Sequence, residues 1–233
     1  MAEKKLPRDM VLELDRLVET LAGDNPEERH VAMSRLESFE KGGKIPLDVL
    51  MDMADETNPS MMMYGITALG RNKTPPAVRK LIELVGKHKE GHQILLETVV
   101  DALGETGDRA GAPALLELMG IDLGLGAKVR GLMRRKKRVS PEQQRRREVL
   151  ALPVVRAVEK MGDPKASTAV AGYLDNEESL VRWHAIRAIA NAKITDFNDK
   201  LRDLAAEDPD EVVREAAQIA LNELSALPRH LNN

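Results

Sequence analysis

The sequence contains no cysteine, which excludes disulfides, thiolate metal sites and a cysteine nucleophile. Aromatic residues are nearly missing: two Phe, two Tyr and one Trp make up 2% of 233 residues. Sheets rich in aromatic and β-branched side chains are disfavoured by this, as is recognition of single strands by base stacking. No run of about eighteen apolar residues occurs, so no transmembrane segment is expected. The N-terminal stretch MAEKKLPRDMVLELDRLVE also lacks the apolar core of a signal peptide, and a cytoplasmic protein is the expectation. Catalytic signatures are absent too. The chain has no Gly-x-Ser-x-Gly, no Gly-Lys-Thr phosphate loop and no dinucleotide fingerprint; GLGAKVRG at 124–131 has the glycines without a strand-turn-helix setting. Neither an enzyme nor a cofactor is indicated.

What is present is helix-forming: Ala, Leu, Glu, Arg and Lys dominate. Self-comparison finds a repeat. HVAMSRL (30–36), MYGITAL (63–69), ETVVDAL (97–103), LPVVRAV (152–158), WHAIRAI (183–189) and EAAQIAL (215–221) align without gaps. Their last residues are separated by 33, 34, 55, 31 and 32 positions. The third column (Ala32, Gly65, Val99, Val154, Ala185, Ala217) and the sixth (Arg35, Ala68, Ala102, Ala157, Ala188, Ala220) are mostly small, which lets helices approach. The fourth and seventh columns are mostly apolar, at the spacing of one helical face. Such a unit cannot bury its own apolar face, and stacking on neighbours is the remedy.

A shorter helical stretch precedes most of these segments: 46–55, 75–87, 111–120, 165–174 and 199–208. Asn25, Asn58 and Asp208 each precede a proline, the pattern of an N-cap followed by Pro in the first turn. Two helices per repeat follow, with repeats at about 8–41, 46–71, 75–106, 110–162, 165–192 and 196–225 in one domain.

KMGDPKASTAVAGYLDNEESLVRWHAIRAIA (160–190) runs from a Gly-Asp-Pro turn through a Leu-bearing helix and an Asp-containing turn to Val-Arg before an Ala-rich helix, and GETGDRAGAPALLEL (104–118) and EDPDEVVREAAQIAL (207–221) match its first and last parts. They resemble the short HEAT-like repeats of phycobilisome lyases. The resemblance implies an all-α fold, a right-handed α-α superhelix of about six helix pairs whose second helices line a concave groove. Val181-Arg182 and Val213-Arg214 match its Val-Arg; of the other repeats, only Arg29 keeps the charge, against Met62, Leu96 and Ala151. A phycobilin lyase-like subunit is therefore one functional alternative, on fold analogy alone.

The interval of 55 exceeds the others by about 22 residues, and the excess falls at 120–147 in the fourth repeat. This insertion carries Lys128, Arg130, Arg134, Arg135, Lys136, Lys137, Arg138, Arg145, Arg146 and Arg147 against Asp122 and Glu142, net +8, while the rest of the chain is net −11. Val129, Leu132 and Met133 among those charges predict a short basic amphipathic turn at 127–138, and Ser140-Pro141 predicts the start of a long helix kinked at Pro153. Among functional readings of this charge an acidic protein partner comes first, although simple neutralisation of the solenoid's own acidic surface accounts for it at least as well. Nucleic acid and an anionic lipid surface are the others.

The first column (His30, Met63, Glu97, Leu152, Trp183, Glu215) is expected to face solvent, with Trp183 on the groove wall as an anchor. Met33, Met51, Met53, Met61, Met62 and Met63 are either core filler or an adaptable patch. The functional expectation is a protein-interaction scaffold that binds an acidic or extended partner segment. Contacts are expected from the insertion cations named above together with Arg182, Trp183 and Arg187. Arg182 is equally suited to a structural ion pair with an inter-helix carboxylate.

Overall fold

A computed structural model describes residues 7–121 and 140–226, with backbone alone at 142 and 143. Among the described residues there are twelve α-helices, two short 3-10 turns and no strand. The helices run in pairs. α1 (Arg8–Ala22) precedes α2 (Pro26–Lys41), α3 (Leu47–Asp55) precedes α4 (Pro59–Asn72), and α5 (Pro75–His88) precedes α6 (Gln93–Thr106). α7 (Ala112–Leu118) is followed by α8 (Pro141–Met161), α9 (Pro164–Ala169) by α10 (Ser179–Asn191), and α11 (Asn198–Glu207) by α12 (Glu211–Ser225).

Local chemistry sets the helix starts. The Asn25 carboxamide oxygen accepts from the Glu27 and Glu28 N–H groups while Pro26 occupies the first turn, and Asn58 does the same for Ser60 and Met61 beside Pro59. Asp208 departs from this pattern. Asp210 caps α12, accepting from Val212 and Val213, because the carboxylate of Asp208 is drawn inward by Arg182. The first helix of the fifth pair is broken: α9 stops at Ala169 and Ala171–Asp175 forms a 3-10 turn. Gly172 and the β-branched Thr168 and Val170 weaken helix there, and the Thr168 hydroxyl bonds back to the Pro164 carbonyl. α8 runs unbroken through the buried Pro153.

The second helices α4, α6, α8, α10 and α12 pack in sequence, each against the next, with first helices forming the other layer. Every third-column residue is buried, as is every sixth-column residue except Arg35. Small side chains are required at these contacts. A Cβ on Gly65 would lie 2.5 Å from the Ala54 amide nitrogen of α3, and one on Gly104 2.7 Å from Cα of Ala157 in α8. The core is one continuous apolar cluster from Leu14 to Leu224. Met53 and Met61 are inside it, with Met33, Met51 and Met62 packed against its edge, so these clustered methionines mostly fill core space, Met63 alone of the six being exposed. Among the described residues no helix is long and apolar enough to cross a membrane.

Candidate functional site

The arginine of the Val-Arg pair turns inward. The Arg182 guanidinium donates to the carbonyls of Asn176 (2.7 Å) and Glu177 (2.9 Å) in the turn before its own helix, and to both carboxylate oxygens of Asp208 (2.8 and 2.7 Å) in the turn of the next pair. Arg214 repeats the first half of the arrangement on the carbonyls of Asp208 (2.6 Å) and Pro209 (3.3 Å), and Arg29 on that of Gly23 (2.9 Å). In each case the acceptor lies six residues back. Arginine suits the task because its planar fork satisfies several carbonyl oxygens at once. Burial by itself would raise the carboxyl of Asp208, but the bonds from Arg182 and from the Asp210 N–H hold it below the ordinary carboxylate range. Arg182 is thus a clamp between two repeats, the ion-pair alternative. With 7% of its surface exposed it is withdrawn from the partner-contacting set.

Ion pairs lace the row of second helices. Arg156 of α8 meets Asp101 of α6 at 2.6 Å, Lys160 meets Glu105 at 2.7 Å, and Arg71 of α4 meets Glu40 of α2 at 2.5 Å. Glu159 of α8 is held by His184 Nδ1 at 2.6 Å and Arg187 Nε at 3.4 Å, both from α10. Arg187 is therefore committed to a neighbouring helix as well as lying 5.7 Å from the centre of the Trp183 ring. These charges cancel between adjacent helices.

Trp183 is half-buried, edge-on to His184 at 4.7 Å, and packs against the core. It also lines a groove of about 230 Å³ between α10 and α12 with Arg187, Val212, Glu215, Ile219 and Glu223. The anchor and packing roles coincide in one side chain. Of the first column, His30, Met63 and Glu215 are exposed and Glu97, Leu152 and Trp183 are partly so, which places the column at the solvent face.

Arg145, Arg146 and Arg147 lie in the first two turns of α8. Arg145 is exposed and carries no ion pair among the described residues. Arg146 reaches across to the Lys89 carbonyl and to Glu90 at 3.0 Å, tying α8 to the end of α5. With Arg147 it borders a recess of about 350 Å³ over Ile82, Val85 and Leu118. Lys128, Arg130, Arg134, Arg135, Lys136, Lys137 and Arg138, and the amphipathic turn expected around them, lie outside the described residues.

One feature of the same face escaped the sequence reading. Ile94 (71% exposed), Val149 (43%), Leu180 (50%) and Val212 (60%) stand on α6, α8, α10 and α12, each three residues before the first column. Extending the repeat alignment upstream by one helical turn exposes this column of aliphatics. Four large apolar side chains at one register, all in water, are not scattered surface residues.

Residues 144–222 match the family of HEAT repeats. No curated protein sequence matches the chain. Among solved structures, the chain is similar to the complex of CpcE and CpcF of phycocyanin lyase from Nostoc sp. PCC7120, with 20% identity and a TM-score of 0.55 over 97% of this chain and 79% of that one. An engineered protein is similar over 92% and 97% of the two chains (17% identity, TM-score 0.52). A designed armadillo repeat protein is similar over 91% and 99% (15% identity, TM-score 0.50). Identities this low establish the fold and leave function to the site. The HEAT-like resemblance holds: residues 144–222 match the HEAT-repeat family, and the described residues form an all-α repeat solenoid similar in fold to these structures.

Proposed function

We propose that this chain is a non-enzymatic interaction scaffold that holds an extended segment of a partner protein along its row of second helices, with the basic insertion at 120–147 as a second arm for acidic parts of that partner. The observation that carries the reading is the exposed column Ile94, Val149, Leu180 and Val212, continued at the C-terminal end by Trp183 and Ile219. A solenoid gains nothing in stability from aliphatics left in water, whereas a bound segment would cover them and recover roughly 25 cal/mol for each Å² removed from water. Supporting the arm is its charge, net +8 against −11 elsewhere, with Arg145 exposed and unpaired at its described end.

The test is affinity purification with three chains: the intact protein, one with charges reversed at 134–138, and one carrying Leu180→Ser with Val212→Ser. Loss of a common partner from the Ser variant is the expected result, with a weaker loss from the charge-reversed chain. Retention of every partner by both variants would sink the reading. Nucleic acid as the target of the arm predicts instead binding to generic duplex that falls steeply with salt.

A further inference from the structure

The second-helix face toward the C-terminus differs in sign from the basic insertion. On α8 through α12 the exposed aliphatics are bordered by carboxylates: Glu148 adjoins Val149, Glu211 adjoins Val212, and Glu215 and Glu223 line the α10–α12 groove with Val212 and Ile219. None of these four carboxylates has an ion pair among the described residues. On α8 the exposed Arg145 stands one turn from Glu148, but around α10 and α12 the cations are engaged: Arg187 with Glu159 and Trp183, and Arg214 with the carbonyls of Asp208 and Pro209. The α10–α12 end of the face therefore presents apolar contact area and unpaired carboxylates together.

Resting on the scaffold reading, we infer that the α8–α12 face takes an extended partner segment in which apolar and basic side chains alternate, with a Lys or Arg seated in the α10–α12 groove. A long basic side chain fits that groove in both its parts. Its methylene stem lies along Trp183, Val212 and Ile219, and its cation reaches Glu215 and Glu223 at the rim. The spacing of the aliphatics fits an extended chain: packed helices lie about 8–10 Å apart, and three residues of polyproline II conformation rise about 9 Å and return to the same side. An apolar residue at every third position therefore meets Val149, Leu180 and Val212 in turn. An acidic segment would set its charge against Glu211 and Glu215, and such like-charge juxtaposition is what rejects wrong partners at an interface.

Trp183 is the only tryptophan in the chain and lines the groove, so its fluorescence reports occupancy directly. The experiment titrates the full chain with three synthetic peptides built from Leu-Lys-Ser, Leu-Gln-Ser and Leu-Glu-Ser triplets. At the Trp183 groove the Lys peptide is expected to bind at least about tenfold more tightly than the Gln peptide, with an affinity that falls as salt rises, and the Glu peptide to leave Trp183 fluorescence unchanged. Glu215→Gln with Glu223→Gln should erase the Lys preference and leave the Gln peptide's affinity unchanged. Leu180→Ser with Val212→Ser should weaken both peptides. Equal binding of the Lys and Gln peptides, or a Lys preference that survives the Gln substitutions, overturns the basic partner while leaving the scaffold in place. A Trp183 response to the Glu peptide at lower concentration than to the Lys peptide overturns it in favour of an acidic segment in the groove. Failure of all three to perturb Trp183, with circular dichroism showing every variant folded, overturns it and counts against the scaffold face as well.

Discussion

Arg182 and Asp208 stand 26 positions apart in sequence and are joined through two hydrogen bonds of 2.8 and 2.7 Å, with side chains 9% and 2% exposed. The remaining guanidinium nitrogen closes the turn before α10, so one side chain fixes the bend within a repeat and the spacing to the next. The Val-Arg signature of the repeat is thereby a packing device. Arg29 and Arg214 perform the turn-closing half alone, since among the described residues neither has a carboxylate placed as Asp208 is.

Removing one partner of this pair leaves a buried charge without compensation. Asp208→Ala should lower the free energy of unfolding by about 3–5 kcal/mol in urea denaturation. Replacing both, as Arg182→Leu with Asp208→Leu, should cost less than the sum of the single changes, because the stranded charge is gone. Additive losses would argue that the two residues act separately.

The pair also sets a pH dependence. The carboxyl of Asp208 is held below its ordinary value in the folded chain, so its ionisation stabilises the fold above the unfolded carboxylate range near pH 4. That contribution is lost as pH falls through the lowered folded value. Thermal unfolding of the native chain should fall more steeply below about pH 4 than that of Asp208→Asn, which has no proton to gain there. Parallel curves would contradict this.

Glu159 couples α8 to α10 through His184 and Arg187, and its side chain is 12% exposed. Glu159→Gln keeps the shape and removes the charge that both partners use. A loss of about 1–3 kcal/mol is expected from the charge-assisted hydrogen bonds. Arg35→Gln, whose pair with Glu13 is exposed at both ends, should change stability by less than about 1 kcal/mol in the same assay.

Gly104→Ala opposes two effects. Alanine favours helix by about 1 kcal/mol over glycine, yet its Cβ would sit 2.7 Å from Cα of Ala157, backbone that cannot yield cheaply. Overpacking of this kind costs about 1–3 kcal/mol, so a net loss is expected. A more stable Gly104→Ala would show that α6 and α8 can separate without penalty.

Exposed aliphatics should behave oppositely to core ones. Leu180→Ser and Val212→Ser are expected to change stability by no more than about 0.5 kcal/mol, whereas Leu103→Ala, fully buried, should lose about 2–5 kcal/mol. A large loss at Leu180 would assign the column to packing rather than to a partner.

Much of the fold was written in local chemistry. Asn25-Pro26 and Asn58-Pro59 start helices because capping and a preset proline act within a few residues. The small third and sixth columns identify the packing face because a repeat must bury the same side each time, whatever its neighbours. Asp208-Pro209 shows where such reading ends. Its local pattern is that of a cap, but the carboxylate is taken by Arg182 from another repeat, and no rule confined to a short window can weigh that competition. The same holds for Arg187, a free cation by sequence and a partner of Glu159 once α8 and α10 lie side by side.

The sequence by itself determined the helical class, the register of six second helices and the opposed charges of insertion and remainder, because period, propensity and charge count need no three-dimensional partner. Only the tertiary structure decided which charges are cancelled and which apolar residues stay in water. Arg182, Arg156 and Arg187 are neutralised by neighbouring helices, while Glu215, Glu223 and the aliphatic column from Ile94 to Val212 are not, since exposure and pairing arise only where one repeat meets the next.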